Sequence, residues 1–192
     1  HELIDDIVLV DQSPIGKTAR SNPVSYVGAL DPIRTLFARE PLAKQRGHSS
    51  GSFSFNSPKG RCPTCGGSGF EHVEMQFLSA VYIRCPDCNG SRYRPEVLEV
   101  KLLPEHREGE TPAAKSIAEV LEMTVDEACS FFHREARVLK KLEPLQAVGL
   151  GYLRLGQPLP TLSGGESQRL KLAGHLTAAS GRSSQHSGRI LF

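Results

Sequence analysis

Tryptophan is absent, methionine occurs only twice, and aromatic residues make up 6% of the 192-residue chain. Hydrophobic content is a modest 39%, enough at this length for one or two buried cores. Charge of one sign is lacking too. The formal net charge is +2, so bulk charge carries no strong nucleic-acid signal. No transmembrane run or signal peptide is visible, and a reducing cytoplasm is expected. A phosphate-binding P-loop, G-x-x-x-x-G-K-[ST], is missing. Gly16-Lys17-Thr18 has its last three positions, but Asp11 stands where the first glycine is required. No apolar strand ends in paired acids that could hold magnesium, although Gly188-Arg189-Ile190-Leu191-Phe192 looks like the start of one. The sequence is expected to be a partial segment of a larger protein. It offers no general base or metal-bound water, so nuclease chemistry is not expected.

Cysteine is scarce but not scattered. Four of the five form two pairs, Cys62-Pro-Thr-Cys65 and Cys85-Pro-Asp-Cys88, separated by 19 residues. That spacing is read as a structural zinc site. A two-residue gap lets both sulfurs of a pair face one ion, and two pairs close a tetrahedral shell with no position left for substrate. Disulfides are the alternative, disfavoured in a reducing compartment. Between the pairs, Val73, Met75 and Phe77 alternate with polar residues, and Val81–Arg84 follows. The pattern predicts a β-hairpin pinned at its base by the metal. His72 is expected on the hairpin surface and not as a ligand. Cys129, on an amphipathic helical pattern, is expected to be a small core residue.

Near the other end, Thr161-Leu162-Ser163-Gly164-Gly165-Glu166-Ser167-Gln168-Arg169 precedes an apolar-periodic run through Leu170, Leu172, Ala173 and Leu176. Ser163 and Glu166 fit the capping box S-x-x-E, which predicts a helix start at Ser163. The two glycines leave first-turn N–H groups uncovered, a setting suited to an anion such as a nucleotide γ-phosphate.

Ser116 is expected to cap a helix over Ile117–Met123, Thr124 and Glu127 to form a capping box for a helix towards His133, and Arg137–Val148 to form a third helix despite Pro144. A short helix around Ile33–Phe37, a Gly/Ser loop at Gly47–Gly51 and strands at Ile7–Val10 and Val97–Val100 complete the reading. Between Gly16 and Phe70 eight basic residues (Lys17, Arg20, Arg34, Arg39, Lys44, Arg46, Lys59, Arg61) face two acids (Asp31, Glu40). Such a stretch suits phosphate contact, or is a solvated face.

Taken together, these residues resemble the UvrA family, the damage-recognising subunit of bacterial nucleotide excision repair, in its C-terminal ATPase half. The resemblance runs through Val10-Asp11-Gln12-Ser13-Pro14-Ile15-Gly16-Lys17-Thr18, Arg20-Ser21-Asn22-Pro23, Tyr26-Val27-Gly28, Asp31-Pro32-Ile33-Arg34, Phe53-Ser54-Phe55-Asn56, Gly60-Arg61-Cys62, Arg92-Tyr93, Gly149-Leu150-Gly151-Tyr152-Leu153, Leu155-Gly156-Gln157-Pro158 and the Leu162–Glu166 signature. It implies an α+β chain: a mainly helical ABC signature domain carrying an inserted four-cysteine zinc-binding β-hairpin module. The implied parts are residues 1–34 leading from the ATP-binding core, 35–115 with the zinc module at 60–94, a helical subdomain at 116–180, and a linker with the start of a Walker B strand at 181–192. Gln12 resembles the Q-loop glutamine. Ser163, Gly164, Gly165 and Glu166 resemble the signature that closes over ATP and magnesium held by the opposite ATPase half. Cys62, Cys65, Cys85 and Cys88 resemble the ligands of one structural zinc, and Lys17 and Arg20 match a basic patch implicated in DNA contact. The family further implies damaged double-stranded DNA, a homodimer and a UvrB-type repair helicase subunit as partners, with ATPase activity belonging to the full-length protein.

Two stretches depart from the family pattern: an extra polar loop at 103–114 and a longer Ser-rich linker at 178–187. They raise the reading of a UvrA-like paralogue, a group linked to resistance against DNA-binding drugs. A third reading comes from Cys62-Pro-Thr-Cys65-Gly66-Gly67-Ser68-Gly69, which fits the knuckle of DnaJ-type chaperones, zinc-scaffolded protein-binding modules. Those carry four such knuckles; this chain has two, and the second departs at Arg92.

Overall fold

The structure is a computed structural model and describes residues 6–7, 10–13, 15–16, 18–75, 78–104, 113–181 and 190–191. In chain order its elements are β1 (Asp6–Ile7), α1 (Pro23–Tyr26), α2 (Leu30–Arg39), α3 (Pro41–Gln45), β2 (Phe70–Met75), β3 (Leu78–Arg84), α4 (Pro95–Leu98), α5 (Ile117–Glu122), α6 (Val125–Phe131), α7 (Ala136–Ala147), α8 (Gly164–Gly181) and β4 (Ile190–Leu191). The fold is therefore mainly helical, with two small two-stranded sheets among the described residues. They divide into two compact units, one of His1–Ala29 with Glu122–Phe192 and one of Leu30–Leu121. No helix among the described residues is long and apolar enough to cross a membrane.

The discontinuous unit is built on its helices. Thr124 and Glu127 cap α6 reciprocally: the Glu127 N–H donates to Thr124 Oγ1 at 3.2 Å and the Thr124 N–H to Glu127 Oε2 at 2.8 Å. On α7, Val138, Leu142 and Leu145 recur with the 3.6-residue period and are fully buried. Pro144 lies inside the helix, three residues from its end, and α7 continues past it to Ala147. On α8, Ser167, Leu170, Ala173 and Thr177 form the buried stripe. Thr177 satisfies its buried hydroxyl by donating to the Ala173 carbonyl at 2.8 Å. β1 and β4 pair in parallel, Asp6 opposite Ile190 and Ile7 opposite Leu191. Of the strand expected over Ile7–Val10, Val8 and Leu9 lie outside the described residues, and Val10 is not in a strand.

The continuous unit packs an aromatic core beneath the cysteine pairs. Phe37 and Phe53 stack at 5.4 Å and Phe55 meets Tyr93 edge-on at 6.1 Å. The buried Tyr93 hydroxyl donates to the Phe53 carbonyl at 3.1 Å, and burial pushes this phenol's pKa up. Arg92 lies over the Phe55 ring at 5.4 Å. β2 and β3 form the expected antiparallel hairpin, with Phe70 opposite Arg84, Val73 opposite Val81 and an irregularity between Val73 and Met75.

Several sequence expectations need correction. Val97–Val100 is not a strand. Pro95 sits in the first turn of α4 and presets its φ, so this short apolar run coils instead. The helix expected around Ile33–Phe37 extends over Leu30–Arg39, and Ser50–Phe53, at the end of the expected Gly/Ser loop, is a 3-10 turn. Cys129 is half-buried and not a full core residue; burial first, then Asp126 and Glu143, pushes its thiol up to about 11. Of the polar loop at 103–114, residues 105–112 lie outside the described residues, and its base is closed by Leu102 and Lys115 exchanging backbone bonds of 2.8 and 2.9 Å. Of the Ser-rich linker, residues 178–181 belong to α8 and the rest lies outside the described residues.

Candidate functional sites

The first site lies in the continuous unit. Each cysteine pair turns tightly and is followed by glycines with positive φ, among them Gly67 at 91° and Gly90 at 87°, which fold the chain back over the sulfurs. The Gly69 N–H donates to Cys65 Sγ at 3.3 Å. The ladder of the hairpin begins immediately beyond, with the Cys85 N–H donating to the Gly69 carbonyl at 3.0 Å; the Cys62 N–H donates to the Arg92 carbonyl at 2.8 Å, beside a separate bridge between Arg61 and Tyr93. Thr64 donates to the Asp87 carboxylate, tying the two turns together.

All four sulfurs lie within 4.8 Å of one another. Cys62 and Cys85 are 3.9 Å apart and Cys65 and Cys88 3.7 Å apart. A disulfide needs about 2.05 Å, so these pairs are not bonded. Four thiolates around zinc at about 2.3 Å would sit about 3.8 Å from one another, the edge of the tetrahedron. The arrangement thus fits a metal ion. Burial pushes the Cys88 thiol up to about 12, whereas at Cys65 the N–H groups of Gly69 and Gly67 outweigh burial and bring the thiol down to about 7. Ionising the whole cluster therefore calls for a compensating cation. His72 lies on β2 opposite Tyr82; its side chain lies outside the described residues.

The second site is the N-terminus of α8. The Ser163 N–H donates to Glu166 Oε2 at 2.8 Å and the Glu166 N–H to Ser163 Oγ at 3.3 Å, the expected capping box. Ser163, Gly164 and Gly165 are exposed, and a Cβ added at Gly165 would meet nothing within 4 Å. The Tyr152 hydroxyl donates to Glu166 Oε1 at 2.7 Å and accepts from Arg169 at 3.2 Å. The Ser163 N–H first, and then Tyr152, hold the Glu166 carboxyl below its usual pKa. Gln12 comes to the same place from 152 residues away in sequence. Its Oε1 lies 3.4 Å from where a Cβ on Gly164 would stand, and its amide donates to Gln168 Oε1 at 3.4 Å.

The basic stretch is less uniform than its sequence. Arg34 pairs with Asp31 and Arg46 with Glu99, so part of the charge is neutralised locally. Arg20 is partly exposed, and its carbonyl accepts from Asn22 Nδ2 at 3.4 Å. Lys17 lies outside the described residues. Sequence reasoning missed Tyr152 and Lys171 as site residues. Gly164, Gln168 and Lys171 recur at i, i+4 and i+7, a period that marks one helix face, but nothing local names the segment that face meets.

No family model matches the chain. It is 51% identical over 175 residues to UvrABC system protein A of Thermus thermophilus, covering 91% of this chain and 17% of the relative. It is 50% identical over 191 residues to UvrABC system protein A of Aquifex aeolicus, covering 100% and 19%. The crystal structure of UvrA2 from Deinococcus radiodurans superposes with a TM-score of 0.81 at 51% identity, over 93% of this chain and 21% of that one. The chain spans about a fifth of the length of these relatives. Half-identical to them along nearly all of its own length, it belongs to the UvrA family as a segment matching that part of the longer proteins.

Proposed function

We propose that this chain is part of the DNA-damage-recognition ATPase of bacterial nucleotide excision repair, contributing its ABC signature, a structural zinc and a DNA-contacting surface. The observation that carries this reading is the exposed, capped first turn of α8 at Ser163–Glu166, with the Gln12 side chain beside it. The exposed first turn at Gly164 and Gly165 favours a γ-phosphate, and the helix dipole adds to that preference. ATP and magnesium would be held by a P-loop elsewhere in the full-length homodimer, with Gln12, Ser163, Gly164, Gly165 and Glu166 closing the site. Cys62, Cys65, Cys85 and Cys88 would hold zinc in a closed shell, whose role is to brace the β2–β3 hairpin and not to activate water. Lys17 and Arg20 would contact phosphates of damaged double-stranded DNA. The lesion would be read through deformability and not through base identity. A UvrB-type helicase subunit would be the downstream partner, in the cytoplasm.

The test is binding of the intact, zinc-loaded protein to a short duplex, with and without one bulky lesion, across a salt series. Tighter binding to the lesion, and a shallower salt slope in Lys17→Ala/Arg20→Ala, are expected; each lost phosphate contact lowers the slope by about one. Equal binding to both duplexes and an unchanged slope would overturn the assignment. The 51% identity to UvrA2 favours keeping the paralogue reading as a second function. A deletion strain sensitive to an intercalating antibiotic but not to ultraviolet light would decide for it.

A further inference from the structure

Three residues on one face of α8 meet the segment around Gln12. A Cβ on Gly164 would stand in van der Waals contact with the Gln12 side chain. One turn on, Gln168 Nε2 donates to the Val10 carbonyl at 3.0 Å while its Oε1 accepts from Gln12. Two turns on, the Lys171 ammonium donates to the Asp11 carbonyl at 3.1 Å and to Ser13 Oγ at 2.7 Å, and pairs with the Asp11 carboxylate. Ser13 Oγ in turn donates to that carboxylate at 2.7 Å. Lys171 thus spends its three donors on Asp11 and Ser13, the two residues that flank Gln12. Its side chain is only 17% exposed, although lysine normally keeps its ammonium in water. A pinned lysine of this kind gives up rotamer freedom to hold the backbone beside it.

We propose that Lys171 is a positioning residue for nucleotide turnover: it locks Val10–Ser13 along α8, so that the Gln12 carboxamide and the Ser163–Glu166 terminus move as one piece. This inference rests on the nucleotide reading above and adds to it a residue that touches no nucleotide. The Asp11 carboxyl is held down to about 2, first by Lys171 and then by Ser13, so the pairing persists at neutral pH. Among the described residues, the α8 hydrogen bonds left to the segment without the lock are those of Gln168, and Gln12 samples positions away from the helix terminus. Misplacement costs turnover because a coordinating group works only in a narrow geometry. Affinity for ATP, supplied mainly by the P-loop, is much less sensitive to it.

The experiment compares wild type, Lys171→Met, Lys171→Arg and Gly165→Val in the intact protein. It reads steady-state ATP hydrolysis together with amide hydrogen exchange over residues 10–16. In Lys171→Met, kcat should fall about tenfold with KM changed less than about twofold, exchange over 10–16 should quicken, and exchange within α8 should stay as in wild type. Lys171→Arg should restore most of kcat, since its donors can reach the same oxygens. Unchanged kcat or unchanged exchange in Lys171→Met overturns the inference. So does a loss of kcat that arginine does not restore, or one accompanied by faster exchange along α8, because the role would then be structural. Failure of the nucleotide reading itself looks different. There the wild type hydrolyses no ATP, or Gly165→Val leaves hydrolysis intact, and the inference falls with it.

Discussion

Replacing Cys85 with serine should weaken zinc binding at the proposed four-cysteine site and leave the helices of the other unit folded. Cys85 is fully buried, with its sulfur 3.9 Å from that of Cys62 and its N–H committed to the hairpin base. Serine keeps the shape but not the ligand, because its hydroxyl does not ionise at neutral pH. Structural zinc binding is worth about 10–16 kcal/mol in four-ligand sites, so an even share is roughly 3 kcal/mol per ligand. At 1.4 kcal/mol per power of ten, the affinity should fall by about two powers of ten. The assay is metal content after titration with a chelator of known affinity, alongside far-UV circular dichroism and limited proteolysis. The chelator midpoint should shift by that amount, and new cleavage should appear between residues 60 and 94 while α7 and α8 stay protected. Cys129→Ser is the control, since Cys129 stands outside the four-sulfur group. The sign with pH follows from the thiols. Burial pushes Cys88 up to about 12, so loading must displace protons, and retention should weaken as pH falls. Cys85→Ser that retains one equivalent of zinc through the same titration, or Cys129→Ser that loses it, would refute the reasoning.

Two further outcomes test the surroundings of the sites. A Cβ at Gly60 would stand 1.6 Å from the Ser52 carbonyl oxygen, a backbone atom that cannot step aside cheaply. Gly60→Ala should therefore destabilise the continuous unit by about 3 kcal/mol in denaturant unfolding, and a midpoint equal to wild type would show that the loop yields. Glu119 is held down to about 2 from an ordinary 4.5, first by Lys101 and then by the Ser116 hydroxyl and N–H. A lowered carboxylate pKa contributes stability above pH 4.5 that is lost as pH falls towards 2. Glu119→Gln should lack that part of the acid dependence, and an identical acid profile would remove Glu119 from it. The effect should be small, because the side chain is half exposed.

Much of the candidate chemistry was legible because it is local. The cysteine pairs announce themselves by a two-residue gap, and the sulfurs do converge. The capping boxes at Thr124–Glu127 and Ser163–Glu166 span one turn each and form as their spacing predicts. The hairpin between the cysteine pairs follows from alternation alone. Errors arose where a short pattern competed with something stronger. Val97–Val100 is a mostly apolar run of only four residues, and Pro95 decided for a helical turn. The positive count between Gly16 and Phe70 missed Glu99, which lies outside the counted stretch yet pairs with Arg46.

The sequence by itself determined the cluster of four cysteines, the capped helices and the family, because each is encoded by residue type at fixed, short spacing. Only the tertiary structure decided what each site leans on. It brought Gln12 to Gly164 and Lys171 to Asp11, contacts across 152 and 160 residues. It pressed Gly60 and Gly67 against the backbone of Ser52 and Phe55, where no side chain fits. It laid Arg92 over Phe55, and Tyr93 against that ring and the Phe53 carbonyl, beneath the sulfurs. Such contacts depend on packing between distant segments. Periodicity can name the helix face that will be covered, but only the folded chain selects what covers it.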